Sequence, residues 1–369
     1  MSDAAPDRRT LGTLAQAMAA ATKHRLVTGM LAHYPFILKN FDAYFRNLWR
    51  RKVRRVSVVT PYSAVFYATH KCNLDCFYCT QKNPEVFSEE VDTARTIEIF
   101  RNIRKDVDTL LITGGECLMR PDIEELVRAA KQDVGFRSVL IVTNGVLLNK
   151  RQALLPHLNG LIVSLDAVTH DPAEPMSKSA QVPRVIDNLM VAKRVLRPDA
   201  ITLSCVLDLW NLGEAERILD FCREHGFQFS VQSSQNNGKY PNFSFLDDPR
   251  YQAFVDKLIE MRRRREARIN GTPKLLSTLL RFEEFKCYPT MFPRVYPNGD
   301  VFYPCEVLRK IAGNVLEEGS ISACFRRGRK LYGETPRCKN NCFLFGNVLS
   351  SYYVEDFWGL AADTIRSHS

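Results

Sequence analysis

From residue 63 onward, short β-branched runs alternate with longer stretches of helical period. The apolar runs predict strands at 64–69, 109–113, 138–142, 161–165, 201–207 and 227–231. Between them, apolar positions recurring every three or four residues predict helices at 93–104, 121–132, 150–157, 182–196 and 212–225. This alternation predicts successive βα units and a parallel sheet buried on both faces. Six such units fit either an incomplete barrel or an open doubly wound sheet, because periodicity does not say whether a sheet curves. Both arrangements put chemistry at the carboxyl ends of the strands. The positions to inspect are therefore Cys72, 114–116, 143–145, 164–166, Asp208 and Gln232.

Ahead of the first unit, residues 35–53 predict a helix with Pro35 in its first turn. Ile37, Phe41, Tyr44, Phe45 and Leu48 share one apolar stripe, and Arg51, Lys52, Arg54 and Arg55 follow. Such a segment either lies on a membrane, covers a hydrophobic substrate entrance, or packs against the catalytic domain. After the sixth strand, a polar loop at 233–249 leads into a helix at 251–268, whose arginines at 262–265 read as a solvated face. From residue 285 the chain becomes loop-rich and cysteine-bearing, with Pro297, Asn298, Gly299 and Asp300 as a hairpin tip. The expected division is an N-terminal helical segment (1–60), a barrel core (61–235), a helical linker (236–284) and a cysteine-rich extension (285–369).

Composition supports a globular chain: 369 residues, 45% hydrophobic and 25% charged, values that argue against disorder and a multi-span membrane protein. The net charge of +10 is local. Residues 1–60 hold 11 Lys or Arg against 3 Asp or Glu, leaving +2 for the other 309. A basic segment of this kind can meet an anionic membrane, nucleic acid or an acidic partner. Aromatic-rich nucleic-acid signatures are missing, so nucleic acid is not the expected partner. No run of about 18 apolar residues and no signal-peptide pattern appear. The expected location is the cytoplasm, with the basic segment able to reach the inner face of the membrane. There, eleven cysteines suggest metal ligation rather than disulfides.

Cys72, Cys76 and Cys79 fall in one short loop at the end of the first strand. Three thiolates cannot complete the four-ligand set of a cubane cluster, so one iron is left open. Open coordination distinguishes a catalytic metal site from a closed structural one. Structural zinc is the alternative, but it needs a fourth ligand. One unit later comes Gly114-Gly115-Glu116. Its glycines permit close backbone approach to a ligand, and its carboxylate can accept from an ammonium group.

The CxxxCxxC spacing, with Tyr78 directly before the third cysteine, resembles the radical S-adenosylmethionine (SAM) superfamily. The resemblance implies a partial (β/α)6 TIM-like barrel in which Cys72, Cys76 and Cys79 ligate three irons of a [4Fe–4S] cluster. SAM then chelates the fourth. It further implies one-electron cleavage of SAM to a 5′-deoxyadenosyl radical, with a flavodoxin or ferredoxin as low-potential electron donor. Gly114, Gly115 and Glu116 resemble the GGE motif that binds the methionyl amine, and Tyr78, Ser164, Asp166 and Asp208 fall where cofactor contacts are expected. Asn144 is expected to cap the following helix instead. The sixth strand shows no glycine-rich adenine motif.

Cys287, Cys305, Cys338 and Cys342 lie beyond the barrel, and the stretch 295–305 resembles the hairpin of SPASM or twitch domains. Four thiolates can close one auxiliary [4Fe–4S] cluster. Cys324 can replace one of them, and zinc is the alternative metal. Cys117, Cys205 and Cys222 are expected to be buried thiols. The expected activity is hydrogen abstraction from an unactivated carbon of a lipid or isoprenoid substrate. A SPASM-type peptide or protein maturase is one alternative, and a non-catalytic iron–sulfur or zinc protein is another.

Overall fold

The apolar runs become six parallel strands: β1 (Ala64–Tyr67), β2 (Thr109–Thr113), β3 (Ser138–Thr143), β4 (Gly160–Ser164), β5 (Ile201–Leu207) and β6 (Gln228–Ser233). Each pairs in parallel with the next, in chain order. The structure, a computed structural model, describes residues 45–49, 53, 59–79, 89–169, 179–236, 240–334 and 342–359. Four helices connect the strands: α1 (Thr93–Arg104), α2 (Ile123–Gln132), α3 (Val182–Lys193) and α4 (Leu212–His225). The start of α1 is set by Asp92, whose carboxylate accepts from the Arg95 N–H at 2.8 Å. Its stripe of Ile99, Phe100 and Ile103 joins Phe66, Leu110 and Ile112 in one core, with Phe66 and Phe100 edge to face at 5.0 Å.

The opposite face of the sheet lines a cavity of about 740 Å³. Helices on one face and a cavity on the other mean that the sheet curves, and β1 does not pair with β6. The six units therefore form an open, partial barrel.

Two expected helices differ. Residues 150–157 form no α-helix but two 3₁₀ turns, Leu148–Lys150 and Gln152–His157; Pro156 inside the second lacks the N–H that an α-turn needs. The helix expected at 251–268 is α5 (Pro249–Arg264), begun by an Asp248 cap and ended by left-handed Arg265.

Beyond it lie α6 (Pro273–Leu280) and the extension: β9 (Arg294–Val295), β10 (Asp300–Phe302), β11 (Ile311–Asn314), α7 (Val315–Glu318), α8 (Ile321–Tyr332) and α9 (Phe345–Glu355). A separate two-stranded ribbon, β7 (Gln235–Asn236) and β8 (Tyr240–Pro241), follows β6. The expected hairpin tip is present, with Gly299 at φ +94° between β9 and β10. Strand β9 pairs in parallel with β1, so the extension continues the barrel sheet past its first edge. It is also pinned to α1: the Asn102 side chain donates to Val315 O at 2.9 Å, and Asp106 accepts from the Ser322 N–H at 2.9 Å. Helix α9 lines the cavity with Phe345, Gly346 and Leu349. At one end the Phe345 N–H donates to Gln232 of β6 at 3.4 Å, and elsewhere Tyr353 stacks on Tyr62 ahead of β1 at 4.6 Å. It thus bridges the side the strands leave open.

Of the helix expected at 35–53, residues 45–49 are described and helical. The rest of its apolar stripe other than Phe45 and Leu48, and the basic residues at 51–52 and 54–55, lie outside the described residues. Phe45 and Trp49 are exposed, while Asn47 is buried and accepts from the Thr60 N–H at 2.6 Å. Among the described residues, no helix is long and apolar enough to cross a membrane.

Candidate functional site

The first cysteine loop leaves the carboxyl end of β1 and arches over the barrel mouth. Cys72 is exposed and Cys76 and Cys79 are half-buried. Two tethers hold the loop. Asn144, after β3, donates from its amide to Asn73 at 2.8 Å, so it braces the loop rather than capping a helix; its own oxygen accepts from the Val146 N–H at 3.1 Å. Tyr78 donates its hydroxyl to Asp166, whose second oxygen accepts from the Val206 N–H of β5 at 2.7 Å. Burial, and then the Asp166 charge, hold the Tyr78 phenol far above its ordinary range, so it acts as a donor. Two residues expected near the cofactor, Tyr78 and Asp166, are thus brought together and bind each other.

Burial also raises the Cys72 thiol, and the nearby Glu116, Cys76 and Cys79 raise it further. Three thiolates and a carboxylate repel one another, so the loop favours a positively charged occupant. Among the described residues no group of three or more Cys, His, Asp or Glu side chains is gathered to hold a single metal ion. A cubane does not require that, because it spreads its cysteine ligands over separate irons.

Gly114 and Gly115 pass directly against the end of β1. A Cβ on Gly114 would stand 2.3 Å from Thr69 O, and one on Gly115 would stand 2.3 Å from Lys71 O. The close approach is to the protein's own backbone, secured by the Gly115 N–H to Thr69 O at 2.8 Å and the Glu116 N–H to Lys71 O at 2.7 Å. Glu116 is 1% exposed. Its carboxylate accepts from the Thr143 hydroxyl at 2.6 Å, the Asn144 N–H at 2.7 Å and the Leu118 N–H at 3.0 Å. Burial raises its pKa against the pull of those donors. Through these contacts the carboxylate expected to meet an ammonium also joins β2 to the end of β3.

Asp208 is likewise used locally, accepting from the Leu209 N–H at 2.7 Å and the Ser234 hydroxyl at 2.5 Å. Ser164 ends β4, in register with Ser204 of β5. Sequence reasoning missed a further pair. Trp210 follows β5 and Gln235 follows β6; the indole N–H and both amide atoms of Gln235 are buried without a hydrogen-bond partner. Buried unpaired amides are rare and call for an occupant. No motif marks them, since only the position after a strand end and burial reveal them.

The second cysteine group is more dispersed. Cys287 and Cys342 are half-buried, Cys305 is buried, and Cys338 lies outside the described residues. The Cys342 sulfur accepts from the Asn347 amide of α9 at 2.9 Å. Cys324 sits in the core on α8, its thiol pushed up to about 12 chiefly by burial, an environment that suits a packing role. Cys117, Cys205 and Cys222 are buried as expected. Beside Cys305, Glu306 accepts from the Tyr67 hydroxyl at 2.8 Å and from Tyr296 at 3.3 Å, and pairs with Arg294 at 3.0 Å. This knot ties the extension to the end of β1. Its sequence signal is the Arg294, Tyr296 and Glu306 spacing within the hairpin stretch.

An open parallel barrel with a three-thiol loop at the carboxyl end of its first strand defines a (β/α) fold whose chemistry sits at that mouth. Residues 66–222, somewhat under half of the chain, match the model of the Radical SAM superfamily. The superfamily uses a [4Fe–4S] cluster and SAM.

The chain is 28% identical over 193 residues to a probable GTP 3′,8-cyclase of Methanocaldococcus jannaschii, covering 49% of this chain and 63% of that protein. It is 29% identical over 164 residues to the GTP 3′,8-cyclase of Chlorobaculum tepidum, covering 42% and 48%. The match thus spans about half to under two thirds of these relatives. In fold it is similar to Streptococcus suis SuiB bound to S-adenosylmethionine, with a TM-score of 0.59, 18% identity and coverage of 80% and 72%. It is also similar to anSMEcpe with bound AdoMet, with a TM-score of 0.55, 15% identity and coverage of 84% and 96%. These likenesses extend past the barrel.

The residues present fit both groups. The loop offers three soft sulfur ligands, and the orphaned Gln235 amide, with one donor and one acceptor in a plane, matches the edge of a purine base.

Proposed function

We propose that this chain is a radical SAM enzyme that abstracts hydrogen from an unactivated carbon of its substrate. When bound, the cluster and SAM supply one-electron cleavage to methionine and a 5′-deoxyadenosyl radical. Carrying this reading is the three-thiol loop at the carboxyl end of β1, tethered through Tyr78 and Asn73. Cys72, Cys76 and Cys79 hold the cluster; the Gly114–Glu116 backbone and Ser164 orient the cofactor's methionine and ribose ends, and Gln235 and Trp210 its base. Asp166, Asp208 and Glu116 act one step back, positioning these elements. Cys287, Cys305, Cys338 and Cys342 hold an auxiliary cluster, and a flavodoxin- or ferredoxin-type donor supplies the electron.

The test is anaerobic reconstitution with iron and sulfide, followed by reductant and SAM. Formation of 5′-deoxyadenosine by the wild type and its loss in Cys76→Ala are expected. An iron-loaded wild type that makes none would leave only a non-catalytic metalloprotein.

For substrate, the lipid or isoprenoid reading drew on the basic N-terminal segment. Co-sedimentation with anionic vesicles tests it; the idea ends if deleting residues 1–58 leaves binding unchanged. The peptide reading is favoured by the fold likeness to SuiB bound to precursor peptide SuiA, with a TM-score of 0.53 and 18% identity.

A further inference from the structure

Helix α9 buries two unlike faces. Phe345, Gly346 and Leu349 line the barrel cavity, while Asn347 and Ser350, three residues apart and so on one face, lie outside that lining and are 3% and 0% exposed. Polar side chains buried on a helix face need partners. Those of Asn347 and Ser350 lead to two of the auxiliary cysteines. The Asn347 amide donates to the Cys342 sulfur at 2.9 Å. The Ser350 hydroxyl donates to Asn347 O at 2.6 Å and accepts at 3.0 Å from the N–H of Tyr288, the residue after Cys287. Glu355, at the far end of α9, accepts from the Tyr288 hydroxyl. One helix therefore positions two cysteine segments that are distant in the chain.

A neutral thiol is a weak acceptor, so a buried amide facing one is poorly satisfied; a thiolate or metal-bound sulfur accepts a charge-assisted bond. The place of Cys342 favours the charged form. Asn347 is the third residue of α9, so the sulfur it meets lies beside the first turn, where the helix dipole stabilises negative charge. Bond and dipole together mark Cys342 as a ligand. The first cysteine set differs: there the Cys72 sulfur accepts from the Leu74 main-chain N–H at 3.5 Å, a longer bond that no side chain supplies. An N–H donated to a cluster sulfur draws off negative charge, which favours the state holding one more electron.

We infer that Asn347 is a positioning residue that raises the reduction potential of the auxiliary centre through its bond to Cys342, and that Ser350 holds the Cys287 side of the same site. This rests on the auxiliary-cluster reading given above. It assigns roles to two buried residues that no cysteine motif marks. No covalent bond changes when the site is reduced: one electron arrives from the flavodoxin- or ferredoxin-type donor, which is oxidised by one, and the Asn347 proton stays on nitrogen.

The test uses the full-length chain carrying C72A/C76A/C79A, so that only the second site can hold a cluster. This parent is reconstituted anaerobically with iron and sulfide and followed by electron paramagnetic resonance during a reductive titration. Added to it, Asn347→Leu removes the amide at similar size and should lower the reduced-to-oxidised ratio at the parent's midpoint by about threefold or more, with iron content kept. Ser350→Ala leaves the sulfur bond in place, so it should lower iron content while the centre that forms keeps the parent midpoint. Cys342→Ala should abolish the signal. Labelling the parent with ¹⁵N-asparagine should reveal a nitrogen hyperfine coupling to the centre, and its absence overturns the inference whether or not the leucine variant folds. An unchanged midpoint in iron-loaded Asn347→Leu, an equal shift in Ser350→Ala, or an undiminished signal in Cys342→Ala overturns it as well. These results leave the auxiliary cluster itself standing. A parent that shows no cluster signal, holding zinc or no metal instead, defeats the auxiliary-cluster reading and the inference with it.

Discussion

Cys72, Cys76 and Cys79 share one loop, whereas Cys287, Cys305 and Cys342 come from three segments of the extension separated by strands and helices. The first set is brought together by chain spacing and then held by two tethers, Asn73 to Asn144 and Tyr78 to Asp166. The second depends on the extension docking along β1 through β9 and the Glu306 knot. A local ligand set survives changes elsewhere in the fold. A dispersed one is only as secure as the docking that assembles it.

The largest expected effect separates the two sets outright. Cys76→Ala should reduce 5′-deoxyadenosine to background, while Cys305→Ala should leave SAM cleavage in place and lower only the iron content. Equal loss of cleavage in both variants would erase the distinction. Next comes Gly115→Ala, whose Cβ would meet Lys71 O at 2.3 Å and His70 O at 2.6 Å. Neither backbone atom can retreat without moving the cysteine loop, so a loss of roughly 3 kcal/mol in denaturant unfolding is expected. Asp166→Ala removes the acceptor of both the Tyr78 hydroxyl and the Val206 N–H. It should cost about 2 kcal/mol and lower iron uptake by the first loop, with Asp166→Asn milder.

On the other side of the comparison, Glu306→Gln leaves Arg294 without its counter-charge. Both side chains are under a fifth exposed, so a cost of about 2 kcal/mol is expected, below that of a fully buried pair. Its iron loss should fall on the second set alone; parallel loss from the first would show that the knot supports both. The smallest effect is Cys324→Ala, expected to cost under about 1 kcal/mol with iron content unchanged. A drop in iron would return Cys324 to the ligand set.

Much of the barrel was legible because its signals are local. Six apolar runs, the Gly299 turn and the cysteine spacing are each contained within a few residues. The two misplaced helices are also instructive, since Pro156 and the left-handed Arg265 override a periodic pattern at single positions. Glu116 shows a different limit: the Thr143 and Asn144 donors to its carboxylate come from the end of the next strand and the residue after it, which no local pattern announces.

What the sequence by itself determined is the order of βα units, the end of the barrel where chemistry lies, and the loop of three thiols. Each follows from hydrogen-bonding and apolar periodicity over short spans. Only the tertiary structure decided that the sheet is open, that strands of two to four residues extend it past β1, and that α9 bridges its open side. The same holds for the meeting of Ser164, Ser204 and Ser230, because strand register is set by which faces bury against the helices, a property of the assembled sheet.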